Sequence, residues 1–446
     1  MKKRIKITAL LLAVSLILSG CAENNTASSV TDSKTETSAT QSESESKAES
    51  SDTESKTESE EESMTETEKP DENLSEEDIY NAMVDRSLMD LGNLQRMKKF
   101  YEKLEKGEEV TVAFIGGSIT EGMTAGADLC WAKLTYNALC EKYPDVKINY
   151  VNAGMSGTPS ILGNIRAGRD VLCHNPDLTF VEFAVNDGGS QEYKDSYEAL
   201  VRTLLEQEDS PAVALYFTVI KSGHTCENHM SEIGRAYGLP MVSLNNVLSV
   251  EFESGRMKWE DYSDDESHPN VWGHEMTKDL IMNMLDKAKA KIDEGGIGEV
   301  EAVPAQWVNN DRFYGMKYFD DANPLEGFTM IDTGSFSGEK DTIQQFPNGW
   351  AAKILPADAK PMKFTFTGKT LMMVYKCVKS PRGGSLKVTV DGRVTGTYST
   401  HANDGWNNPV AVQIFSGDEG VHEVTIEIVD LDGKAIIADI LGFGVC

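Results

Sequence analysis

The run VAFIGGSITEG at residues 112–122 decides how the chain is read. Apolar Val112, Ala113, Phe114 and Ile115 end in Gly116 and Gly117, and Ser118 opens a short, more polar segment. An unbroken apolar run is the mark of a strand covered on both faces. Paired glycines let such a strand stop abruptly and pass into a helix. Ser118 stands at that corner. The bland reading is a small residue filling a turn or capping a helix. The chemical reading is a hydroxyl held out at the end of a strand.

Working outward, apolar runs alternate with helical patterns from about Ser75 to Gly298. The expected strands are 110–116, 147–154 (KINYVNAG), 178–186 (LTFVEFAVN), 212–220 (AVALYFTVI) and 240–246 (PMVSLNN). Helical spacing recurs near 88–106, 130–142, 161–173, 192–208, 226–237 and 272–292. Strand and helix repeated five times predict an α/β fold, a doubly wound parallel sheet occupying residues 77–298. After Glu299 the pattern changes to short, often alternating runs such as KFTFTGKTLMMVYKC (363–377), divided by Gly, Asp and Asn. Asp391-Gly392 between two such runs marks a hairpin. Residues 299–446 are therefore expected to form an antiparallel β-sandwich.

The N-terminus reads differently. Lys2, Lys3, Arg4 and Lys6 precede an apolar stretch from Ile7 to Leu18, too short for a mature membrane span of ~20 residues. It has the form of a signal peptide over residues 1–21. Its ending, Leu18-Ser19-Gly20-Cys21, resembles the lipobox of bacterial lipoproteins. That resemblance implies lipid on Cys21 and a protein held to the extracellular face of a membrane through this anchor only; an ordinary secretory signal is the plainer alternative. Residues 22–76 are Ser, Thr and Glu with scattered Lys, too poor in apolar side chains to offset the entropy of ordering. Such a coil would span roughly 40 Å and act as a spacer, or as a modified interaction tail. The formal net charge of −30 argues against nucleic acid or anionic headgroups as partners.

In open parallel sheets, ligands bind beyond the carboxyl ends of the strands. Gly116-Gly117-Ser118 follows the first strand, NAGMSGT with Gly154 and Gly157 the second, and Asn186-Asp187-Gly188 the third. DDESHPNVWGH, with Asp265 and His268, comes after the fifth. A hydroxyl, glycine turns, an amide, a carboxylate and an imidazole on one rim are the inventory of acyl transfer. Serine needs a base to take its proton, and histidine suits neutral pH. Asp265 would orient the His268 ring and stabilise its cation. The amide of Ser118, Gly157 and the side chain of Asn186 would hold the oxyanion.

These four blocks resemble those of the SGNH hydrolases, also called the GDSL esterase/lipase family. FIGGSITEG resembles the first block, VNAGMSGT the second, VEFAVNDG the third and DESHPNVWGH the last, over about residues 88–290. The resemblance implies a flavodoxin-like fold, catalytic Ser118, Asp265 and His268, an oxyanion hole at Ser118, Gly157 and Asn186, and no cofactor or metal. Gly117 stands where many members carry the aspartate of GDS, and Ala184-Val185 where a glycine pair is common. The expected activity is hydrolysis of small acyl esters, O-acetyl first, on a carbohydrate. The rivals are a lipase, phospholipase or thioesterase of the same family, and a non-catalytic sugar-binding lipoprotein.

His274 is expected to be structural, and its spacing from His268 matches no common metal site. Trp131 and Trp272 would line the cleft or lie buried. Trp350, Tyr375, His401 and Trp406 would form an aromatic platform for sugar rings, or pack in the sandwich or against the first domain. Setting Cys21 aside, six scattered cysteines lack a C-x-x-C pair. Cys130 and Cys140, about 15 Å apart on one helix, cannot bridge each other, so mostly buried free thiols are expected, with an extracellular disulfide as the alternative.

Overall fold

A computed structural model describes residues 75–336, 343, 345–354, 358–429 and 436–446. The signal-like segment, Cys21 and the acidic tract up to residue 74 lie outside the described residues.

The first sheet contains β1 (Leu88–Asp90), β2 (Val110–Gly116), β3 (Ile148–Gly154), β4 (Leu178–Glu182), β5 (Ala212–Phe217) and β6 (Met241–Ser243), in the order β1-β6-β5-β4-β2-β3. Strands β2 to β6 pair in parallel, and β1 adds an antiparallel edge. Among the parallel strands the order is that of a flavodoxin-like doubly wound sheet. The chain reverses direction across the sheet at β2, between β3 and β4, and a crevice opens there. Every residue of β2, β4 and β5 is buried, as strands covered by helices on both faces must be.

The helices are α1 (Glu76–Arg86), α2 (Gln95–Lys106), α3 (Ser118–Glu121), α4 (Trp131–Lys142), α5 (Ser160–Asp170), α6 (Gln191–Leu205), α7 (Glu227–Ala236), α8 (Asn245–Glu253), α9 (Trp259–Tyr262) and α10 (Val271–Asp293). One face of the sheet packs Phe114, Phe180 and Tyr216 with Trp131 and helix α10. Phe114 and Phe180 stack with ring centroids 5.1 Å apart. The other face packs Ile115, Val181 and Phe217 with Leu200 of α6 and Met230 of α7.

Several expectations need correction; among them, the strands expected over 212–220 and 240–246 end at Phe217 and Ser243. The helix expected over 88–106 is the strand β1 followed by α2. Gly92 separates them with φ +65°, where a Cβ would lie 2.1 Å from the Gly238 carbonyl oxygen. Helix α1 was hidden in acidic sequence; Ser75 and Asp78 close its N-terminus as a capping box, and Met83 is buried beneath it. Strand β4 stops at Glu182 rather than 186, because the N–H groups of Asn186 and Asp187 turn back to the Phe183 carbonyl.

The C-terminal part is an antiparallel β-sandwich of β7 (Lys317–Phe319), β8 (Thr329–Asp332), β9 (Trp350–Ile354), β10 (Met362–Val378), β11 (Ser385–Val390), β12 (Arg393–Ser399), β13 (Trp406–Val429) and β14 (Ile436–Val445). Long strands β10 and β13 run side by side and shift register near Gly368 and Leu371. Such irregularities let one strand serve two layers. Asp391 and Gly392, with φ of 50° and 75°, turn the hairpin between β11 and β12.

Burial along β10 alternates from Met362 to Lys369 and becomes continuous from Thr370 to Val378. Leu371, Met373 and Tyr375 enter the sandwich core with Phe364 and Phe443. Met372 and Val374, on the opposite face, meet Ile161, Leu162 and Ile165 of α5 together with Phe313 and Phe346. The sandwich is thus joined to the α/β part by a shared apolar layer.

The six described cysteines are free. Cys130, Cys226 and Cys377 are buried, whereas Cys140 and Cys446 are half-buried and Cys173 is exposed. Among the described residues no helix is long and apolar enough to cross a membrane.

Candidate active site

Ser118 is the first residue of α3, directly after β2 and Gly117. The turn is tight: a Cβ on Gly116 would lie 2.6 Å from the Glu182 carbonyl oxygen. The last segment of the site is a loop drawn in on itself. The Ser263 hydroxyl lies within hydrogen-bond distance of the carbonyls of Asp265 (2.9 Å) and His268 (2.5 Å), and the Trp259 indole N–H donates to the Asp265 carbonyl at 2.5 Å. Asn270 then caps α10 by accepting from the Gly273 N–H at 2.9 Å.

These two elements bring the expected side chains together. His268 Nε2 lies 2.9 Å from Ser118 Oγ, and His268 Nδ1 lies 2.7 Å from Asp265 Oδ2. Asp265 Oδ1 accepts the backbone N–H groups of His268 (2.6 Å) and Ser267 (2.7 Å), so one carboxylate fixes both the ring and its main chain. Partial burial pushes this carboxyl up, but the hydrogen bonds from His268 and Ser267 outweigh it and hold it below the usual range. With a carboxylate at Nδ1, that nitrogen is the donor. Nε2 then presents its lone pair to the serine hydroxyl.

Gly157 takes φ +66° in the loop before α5, a conformation that suits glycine. The Asn186 side chain lies across the Ser118 turn: a Cβ at Gly117 would be 2.1 Å from its Oδ1. The N-cap position of helix α6 is Ser190, four residues past Asn186, so Asn186 is not the cap of that helix. Gly154 is structural; a Cβ there would meet the Glu121 backbone nitrogen at 2.1 Å.

Three acids beside this site were not singled out from the sequence. Glu182, wholly buried at the end of β4, accepts from Thr120 Oγ1 (2.9 Å) and Thr218 Oγ1 (2.8 Å). Burial pushes its carboxyl up, against these bonds and one from the Gly117 N–H. Asp187, next to Asn186, accepts the Ser160 N–H at 2.7 Å, and burial pushes it up to about 7. Glu121, the last residue of α3, accepts from the Ser156 N–H at 2.7 Å. An acid inside a strand buried on both faces was the available signal for Glu182, since carboxyls are seldom fully buried without partners.

His274 is structural. Its Nδ1 accepts the Trp131 N–H at 3.1 Å, and burial pushes it down to about 4, leaving the ring neutral. Among the described residues no group of three His, Cys, Asp or Glu side chains is placed to hold a metal ion. Of the aromatic candidates, Trp131, Trp350 and Tyr375 are buried in the two cores, and His401 is tied to the Ser380 carbonyl at 3.0 Å. Trp272 is 38% exposed and Trp406 56% exposed. Trp406, from the sandwich, reaches the α/β part: a Cβ on Gly157 would be 2.9 Å from its Cζ2. A cleft of about 650 Å³ opens there, lined by Glu121, Met123, Met155, Ser156, Gln345 and Trp406.

Residues 114–276 match the GDSL-like lipase/acylhydrolase family. A crystal structure of a two-domain esterase (CEX) active on acetylated mannans is 25% identical, with a TM-score of 0.71, covering 81% of this chain and 98% of that one. The same enzyme co-crystallised with mannopentaose gives 25% identity, a TM-score of 0.70 and the same coverage. An acetylxylan esterase from Geobacillus stearothermophilus matches 40% of this chain and 94% of its own at 20% identity, with a TM-score of 0.33. No curated protein sequence matches. The fold and site define a carboxylic ester hydrolase. The α/β part carries the match to the GDSL-like lipase/acylhydrolase family, and a C-terminal β-sandwich follows it.

Proposed function

We propose that this protein is an extracellular carbohydrate esterase that removes small acyl groups, O-acetyl first, from a polysaccharide. The observation that carries the reading is the continuous chain Ser118 Oγ, His268 Nε2, His268 Nδ1 and Asp265 Oδ2, with links of 2.9 and 2.7 Å. As His268 takes its proton, Ser118 Oγ bonds to the acyl carbon. The oxyanion settles against the N–H groups of Ser118 and Gly157 and the Asn186 amide. As the bond from the acyl carbon to the sugar oxygen breaks, His268, now a cation held by Asp265, gives its proton to that oxygen, which leaves as the sugar hydroxyl. Water then attacks the acyl-serine with His268 again as base, releasing the acid and restoring Ser118.

A carbohydrate substrate is supported by the likeness to the acetylmannan esterase over both parts of the chain, and by Trp406, whose exposed indole beside Gly157 offers a face to a sugar ring. The anchored, extracellular placement rests on the first 21 residues. Replacing Cys21 by alanine should move the protein from the membrane fraction to the soluble one.

The test is acetate release from acetylated mannan, xylan, pectin and peptidoglycan, alongside p-nitrophenyl acetate and octanoate. Ser118→Ala is expected to lower kcat by on the order of 10⁶ with the fold intact. Full activity in that variant would remove the site. A strong preference for octanoate would instead point to a lipase or thioesterase, and sugar binding without turnover to a capture protein.

A further inference from the structure

Glu121 joins three separate segments at the site. It ends the short helix that Ser118 begins. Its Oε2 accepts the Ser156 N–H at 2.7 Å and also the Ser156 hydroxyl. Its Oε1 accepts from Gln345 Nε2 at 3.3 Å. Ser156 immediately precedes Gly157 in the chain. Gln345 belongs to the C-terminal part and is anchored by its neighbour Phe346, which is wholly buried in the apolar layer against α5. The Phe346 ring also lies under the Arg169 guanidinium, 4.6 Å from its centroid.

We propose that Glu121 is a positioning residue that sets the oxyanion loop and makes its geometry depend on the docked C-terminal domain. The peptide between Ser156 and Gly157 carries the Gly157 N–H, and its orientation follows where the Ser156 main chain is held. Glu121 holds Ser156 by two hydrogen bonds, on a helix whose other end presents the nucleophile. Nucleophile and oxyanion donor are thereby referenced to one side chain. Gln345 fixes the remaining oxygen of that side chain, so the sandwich acts on the reaction without touching the acyl group. A misplacement of about 1 Å in such a site costs on the order of 10² in rate. The inference rests on the esterase reading.

The test uses the full chain with p-nitrophenyl acetate, and with a p-nitrophenyl alkylphosphonate that traps Ser118 as a tetrahedral adduct. Glu121→Ala is expected to lower kcat about 10- to 100-fold with KM changed less than about threefold, and to slow phosphonate inactivation by the same factor. Glu121→Gln keeps an acceptor for Ser156, and a flipped Gln345 amide can meet it, so this variant should recover most of the rate. Gln345→Ala should lower kcat several-fold at unchanged KM. In the double variant with Glu121→Ala it should add nothing, because both losses run through one side chain. Wild-type kcat in Glu121→Ala, a loss carried by KM, or multiplying losses in the double variant would overturn the proposal. If Glu121→Ala fails to fold, Gln345→Ala decides alone: an unchanged kcat defeats the coupling. A wild-type protein that hydrolyses no ester would defeat the esterase reading itself, a distinct outcome.

Discussion

Gly117 has no side chain because Asn186 fills the space one would need. The position is the bed on which the Asn186 side chain rests. Gly117→Ala would put a methyl 2.1 Å from Asn186 Oδ1 and is expected to push the amide off the turn. Loss of one oxyanion donor typically costs 10²–10³ in kcat, and the matching measurement is kcat at saturating p-nitrophenyl acetate with KM little changed. Asp187, one residue past Asn186, is buried, and its titration bears on stability. Its carboxyl titrates at about 7 in the fold and about 3.9 in an unfolded chain. Between those values the folded form holds a proton that the unfolded form has lost. The contribution of this group is therefore complete below about pH 4 and lost as pH rises through about 7. Asp187→Asn keeps an acceptor for the Ser160 N–H and removes the titration. Its melting temperature should gain on the wild type steadily from pH 4 to pH 8, and a constant offset across that range would contradict the assignment.

At the scale of elements, the second half of β10 shows how packing overrides pattern. Its sequence, TLMMVYKCV, is mostly apolar without alternation because both faces are covered, one by the sandwich core and the other by α5; its one charge, Lys376, is buried against Asp439. Met372→Ala, in the layer shared with Leu162 and Phe313, should cost about 2–5 kcal/mol in chemical denaturation. Val421→Ala, on an exposed position of β13, should stay within about 0.5 kcal/mol. Helix α1 illustrates the converse. Its first turn, Glu76, Glu77 and Asp78, reads like the acidic tract before it. It is helical because Ser75 and Asp78 cap it and Tyr80 donates to Asp279 of α10 at 2.6 Å. The cap lies within the local sequence, but Asp279 stands 199 residues further along the chain, beyond its reach.

For the whole molecule, the α/β part and the sandwich form one compact unit, so thermal unfolding is expected as a single calorimetric transition. A chain ended after residue 298 would leave Ile161, Leu162 and Ile165 of α5 uncovered and should self-associate, which light scattering would detect. The sequence alone determined the parallel-sheet strands, the change to antiparallel patterning after Glu299 and the residue types gathered at strand ends. All of these are periodicities or short motifs, set by neighbours within a few positions of the chain. Only the tertiary structure decided that Ser118 meets His268 across 150 residues of chain, that Glu121 meets Gln345 across 224, and that Trp406 closes on Gly157. Such contacts come from how a sheet edge, a docked helix and a bent strand pack together. Packing on that scale leaves no period in the residues that make it.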